Sequence, residues 1–232
     1  GRAGGRDALR AGAAGGRPLT RGRLIAWCAF VAALIAIGYY GRAVGGKPDR
    51  DVLYQWGTAA SSAISYLVML GFVLWIAGAR ADLLALRRPR SLWGAAGLGV
   101  AVLVGILVLG ALLDPVLHGG REQGLTPTRW EPSHAGAYAA NFAVVAIVAP
   151  VVEELTYRGL GFTLLSPFGA AAAIVVTAVL FGLSHGLVEA LPVLVAFGAG
   201  LAWIRHRTDS SYPSMVVHGC FNALALVLAV TT

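Results

Sequence analysis

Four side chains in the C-terminal half of the chain could together hydrolyse an amide bond: Glu153, His185, His218 and Asn222. The first stands in Glu153-Glu154-Leu155-Thr156-Tyr157-Arg158. On a helix Glu154 and Arg158 are four apart, share a face and can pair. Glu153 is turned about 100° away from that face. It keeps its carboxylate out of the pair and is a candidate general base. His185 closes Phe181-Gly182-Leu183-Ser184-His185, and His218 opens His218-Gly219-Cys220-Phe221-Asn222. The second spacing puts an imidazole and an amide on one helix face. In this reading Glu153 and His185 orient and deprotonate a water. His218 and Asn222 then donate hydrogen bonds to the oxyanion of the tetrahedral intermediate.

The elements that must position these groups are apolar helices. Of the 232 residues, 57% are hydrophobic and 12% charged, and the mean hydropathy is +0.73. A soluble domain carries about 25% charged residues. The composition therefore excludes an ordinary soluble enzyme, a disordered chain and a coiled coil. The 31 glycines have no three-residue period, which excludes collagen. A spanning helix needs about 20 mostly apolar residues. Seven such runs occur, over 24–40, 56–79, 91–113, 135–152, 168–185, 186–204 and 211–232. The sixth is the weakest, because it contains Glu189 and Pro192. The runs are too long for barrel strands and do not alternate. The expected fold is all-α, a polytopic membrane bundle of about seven transmembrane helices with the active site among the last four. The first run is read as a retained helix, not a cleaved signal peptide.

The net charge is +7, with 17 of the 18 basic residues arginine. The basic residues sit between the apolar runs and not along one solvated face. That distribution points to a lipid bilayer and away from nucleic acid. Seven spans with a cytoplasmic N-terminus place Arg42, Lys47, Arg50, Arg121 and Arg129 outside and the other basic residues inside, as the positive-inside rule requires. The Arg, Ala and Gly bias suggests a bacterial plasma membrane. The chain divides into a basic, disordered tail over 1–23, three scaffold helices over 24–113, an external loop over 114–134 and the catalytic helices over 135–232. The first three spans contain no ionisable residue. Such residues within a membrane are costly and functional by default, so the last four spans form the working part. Cys28 and Cys220 are expected to be two buried thiols. Trp27, Trp56, Trp75, Trp93 and Trp203 are expected near span ends or on lipid faces.

The ordered set Glu-Glu-x-x-x-Arg, Phe-x-x-x-His and His-x-x-x-Asn resembles the CPBP family, the CAAX proteases and bacteriocin-processing enzymes once called the Abi family. The resemblance covers roughly residues 136–230. It implies a glutamate-type intramembrane endopeptidase, with Glu153 and His185 activating water and His218 and Asn222 serving the oxyanion. Glu154 and Arg158 would be the supporting pair, with Phe181 beside them. A metal-free site is expected, because no His-Glu-x-x-His motif or three close ligands occur; a zinc-dependent protease is the alternative. The implied partners are the bilayer and a hydrophobic, prenylated or otherwise membrane-anchored peptide. A different class of function is a non-enzymatic immunity or binding protein on the same frame. With spans of ordinary length, Glu153 and His185 would lie at depths differing by on the order of 10 Å. The helix bearing Glu153 is therefore expected to run past Arg158 towards Leu165.

Overall fold

The computed structural model describes residues 17–45, 51–118, 122, 127 and 129–231. Among the described residues seven long helices follow one another, with short 3-10 turns between some of them, and there is no strand. They are α1 (Arg17–Val44), α2 (Trp56–Ala77), α3 (Leu92–Leu117), α4 (Pro132–Phe168), α5 (Ala170–Ser184), α6 (Leu191–Thr208) and α7 (Tyr212–Thr231). The chain is thus an all-α bundle. By length and composition α2, α3, α4, α7 and the part of α1 over Arg21–Val44 can each cross a membrane. The two remaining helices depart from the expected seven full spans. Helix α5 has only 15 residues, about 22 Å at 1.5 Å per residue. Helix α6 ends in Arg205-His206-Arg207, which lowers its apolar content.

Several boundaries move. Residues 17–23, expected in the tail, begin α1, while 1–16 lie outside the described residues. Helix α3 continues through Asp114 and Pro115 to Leu117, so the loop expected from 114 starts later. A proline tolerated near a helix end does not stop it when the preceding turn is already formed. His118, in the left-handed conformation at φ 55°, ends the helix there. Parts of the expected 114–134 loop, 119–121, 123–126 and 128, lie outside the described residues.

Helix α4 organises the bundle. It extends past Arg158 to Phe168 as expected, but not as a regular α-helix. Two π-helical stretches, Val144–Val148 and Leu155–Gly161, bracket the α-helical turn Ala149–Glu154. π-Bulges leave carbonyls out of the i→i−4 ladder, and buried carbonyls need other donors. The indole N–H of Trp27 donates to the Thr156 carbonyl at 2.9 Å, and Arg205 Nε donates to the Arg158 carbonyl at 3.1 Å. Trp27 is fully buried for this reason, which corrects its expected lipid-facing place. Trp56, Trp75, Trp93 and Trp203 are exposed on the bundle surface, as expected. Cys28 and Cys220 are also exposed, not buried: on a helix with an apolar environment on both sides, hydrophobicity alone cannot tell inward from outward. Helices α5 and α6 approach closely at Gly198, where a Cβ would meet the Ala178 backbone at about 3.0 Å.

Candidate active site

The length of α4 also removes the expected depth mismatch. Glu153 lies 15 residues before the end of α4 at Phe168, and His185 lies 16 residues after Gly169, at the C-cap of α5. The two arms of this helical hairpin are nearly equal. Their chemistry-bearing residues therefore return to the same height.

Around that height lies a cavity of about 650 Å³. Glu153, His185, His218, Asn222 and Phe181 all line it, so the structure brings together the four residues singled out in the sequence. Glu154 and Arg158 sit directly behind it. Both side chains are 0% exposed, and Arg158 Nη1 donates to Glu154 Oε1 at 2.8 Å. The other guanidinium nitrogen, Nη2, donates to the Gly198 carbonyl at 2.8 Å. This ties α4 to α6 through one fork. The guanidinium carbon lies 4.4 Å from the Phe181 ring centroid, a cation–π contact in a dry setting.

The pair continues into His218. Its Nδ1 lies 3.1 Å from Glu154 Oε1. Because a carboxylate oxygen accepts, Nδ1 carries the proton and Nε2 turns to the cavity. Nε2 is 3.8 Å from Glu153 Oε2. The imidazole within reach of Glu153 is therefore that of His218. His185 stands at the C-cap of α5, with Nδ1 at 2.8 Å from the Phe181 carbonyl. That bond fixes its tautomer in the same way. Phe181 separates the two imidazoles: its ring meets His185 edge-on at 4.8 Å and His218 at 5.6 Å. Expected as a supporting residue, it is a fully buried spacer that touches both imidazoles and the guanidinium.

Asn222 is fixed by a proline in another helix. In the π register, residue 150 would donate to the carbonyl of residue 145. Pro150 has no N–H, and Asn222 Nδ2 donates to the Val145 carbonyl instead, at 2.9 Å. Gly219 allows this approach, since a Cβ there would lie 2.8 Å from the Ala146 carbonyl oxygen. One amide N–H of Asn222 is thereby held, and the second is left for the cavity.

Sequence reasoning missed Tyr66, on α2. Its hydroxyl donates to Glu153 Oε1 at 2.8 Å and it lines the same cavity. A tyrosine within an apolar run carries no spacing signal, so nothing in the sequence distinguished it from Tyr39 or Tyr40. Glu189 also lines the cavity, on its exposed side. No three His, Cys, Asp or Glu side chains among the described residues are grouped as metal ligands.

Comparison with curated proteins gives no match, nor does comparison with solved structures. A family model does match, over residues 135–224: the type II CAAX prenyl endopeptidase, Rce1-like. The matched segment begins at the α-helical part of α4 and ends just beyond Asn222 on α7, so it contains every residue of the three motifs. Within an all-α bundle with several membrane-length helices, the segment 135–224 that carries Glu153, His185, His218 and Asn222 around one cavity is thus similar to the Rce1-like type II CAAX prenyl endopeptidases.

Proposed function

We propose that the protein is a glutamate-type intramembrane endopeptidase that cleaves a hydrophobic or membrane-anchored peptide. The observation that carries this reading is the convergence of Glu153, His185, His218 and Asn222 on one cavity among apolar helices. Glu153 is the general base. It takes a proton from a water that His185 helps to orient, and the resulting hydroxide attacks the scissile carbonyl. Donors on α7 receive the oxyanion: the second Asn222 N–H, and His218 Nε2 when its imidazole is protonated on both nitrogens, Nδ1 still donating to Glu154. The attacking oxygen and the oxyanion share one carbon, so base and donor must be neighbours; the 3.8 Å between Glu153 and His218 suits that demand. Glu154 and Arg158 never meet substrate in this scheme. They orient His218 through its Nδ1, as a carboxylate orients a catalytic imidazole in hydrolases of other folds.

The bilayer supplies the substrate's environment, with the N-terminus of the chain on the cytoplasmic face. The residues themselves supply base, donors and orientation, without a metal. A Glu153→Gln variant keeps the size and the Tyr66 contact but cannot take a proton. It should fold normally in detergent and lose cleavage of a fluorogenic membrane peptide, by on the order of 10²–10⁴-fold. Cleavage at the normal rate would overturn the proposal. Loss of wild-type activity with a strong chelator, restored by zinc, would replace the metal-free version by a zinc-dependent one.

A further inference from the structure

Tyr66 lies outside the segment that carries the protease resemblance, on a helix that sequence reasoning treated as scaffold. Other hydroxyls of α2 turn back on their own helix: Ser61 bonds to the Thr58 carbonyl and Ser65 to the Ser61 carbonyl. Tyr66 instead reaches across to α4 and donates to one oxygen of Glu153, Oε1, at 2.8 Å. The other oxygen, Oε2, is the one that faces His218 Nε2 across 3.8 Å of cavity. The two carboxylate oxygens are therefore not equivalent.

From this division we infer that Tyr66 is a positioning residue for hydrolysis, which holds Oε1 and makes Oε2 the oxygen that moves protons. The inference rests on the proposed general-base role of Glu153. Water gives its proton to Oε2 as its oxygen bonds to the carbonyl carbon. The same oxygen then passes that proton to the amide nitrogen as the C–N bond breaks, leaving a carboxylic acid and an amine. A carboxylate free to rotate would present either oxygen, and the proton accepted in the first step could face away from the leaving nitrogen in the second. A phenol on Oε1 stops that rotation throughout the cycle. Its hydroxyl donates while Glu153 is ionised and keeps its place when the proton sits on Oε2. The cost of losing such orientation falls on the chemical step and not on binding.

The test uses the full chain in detergent or proteoliposomes with a fluorogenic membrane peptide. Tyr66→Phe removes one oxygen and keeps the ring that packs on the core. The expected result is a fall in kcat of about 10–10²-fold with KM and thermal stability unchanged. The second arm is a cycle with Glu153→Asp, whose shorter side chain withdraws from the phenol. In that background Tyr66→Phe should cause little further loss. Unchanged kcat, a change confined to KM, a fall in thermal stability matching the loss, or full additivity in the cycle would each overturn the inference. Glu153→Gln separates the two levels. If it still cleaves, the general-base reading itself fails; if it is inactive while Tyr66→Phe has normal kcat, only the role of Tyr66 fails.

Discussion

Glu154 and Arg158 form the most deeply buried ion pair of the described residues, and their worth is better judged by what depends on them than by their own attraction. Pairing two charges inside a protein roughly breaks even against desolvation, but removing one partner leaves the other stranded. Arg158→Ala should therefore destabilise the fold by about 3–5 kcal/mol, read as a lowered unfolding temperature in detergent. Arg158→Lys should recover part of this. A single ammonium lacks the planar fork that serves Glu154 and the Gly198 carbonyl together. The pair itself was legible in the sequence, because i,i+4 spacing on a helix is a strong geometric constraint. So was the idea that Glu153 points elsewhere. Its partners were not legible: Tyr66 comes from 87 positions away, and no local pattern announces a contact of that range.

The next scale is α4, where the sequence showed the extent of the helix but not its irregularity. Continuation towards Leu165 followed from the need to bring Glu153 level with His185. The π-stretches did not follow from hydropathy, since a bulge changes hydrogen bonding and leaves the apolar pattern nearly intact. Pro150 was the overlooked signal. A proline inside a long apolar helix, next to a carboxamide-bearing helix, marks a carbonyl in need of a donor. Pro150→Ala would restore an N–H that competes for the Val145 carbonyl and releases Asn222. We expect unfolding temperature to be maintained or raised while kcat falls on the order of tenfold or more. Equal losses in both would show that the proline serves packing instead. The buried Trp27 teaches the same lesson: an indole in a membrane helix reads as an interfacial residue until a bulged carbonyl, here Thr156, is found opposite it.

Across the whole molecule, the turn between α2 and α3 is bound to the corner between α6 and α7. Arg90 N donates to the Thr208 carbonyl, Ser211 N to the Ala85 carbonyl, and Ser211 Oγ to the Leu84 carbonyl. Arg87 and Arg205 both hold the Asp209 carboxylate, at 2.5 and 3.0 Å. Helices α2 and α3 are thus fastened to α6 and α7 at the end where α4 carries its second π-stretch. Burial pushes the Asp209 carboxyl up, but Arg87 and Arg205 outweigh it and hold it below the usual carboxylate range. Because folding lowers that value, the stabilisation is fully present above the ordinary aspartate value of 3.8 and is lost as pH falls through the lower, folded value. Asp209 is partly exposed, so Asp209→Asn should cost only about 0.2–1 kcal/mol at neutral pH. The difference from wild type should shrink as the pH is taken progressively below 3.8, as measured by thermal unfolding in detergent at neutral and acid pH.

The matched arms of α4 and α5 behave as a ruler folded at Gly169. One extra residue in a single arm would raise its reactive group by about 1.5 Å and swing it by about 100°, separating acid from imidazole even if every side chain were retained. Compensating insertions, one on each side of the fold, would restore the height but still rotate both groups. In the proposed mechanism the stretch joining Glu153 to His185 should therefore tolerate changes of residue type but not of length.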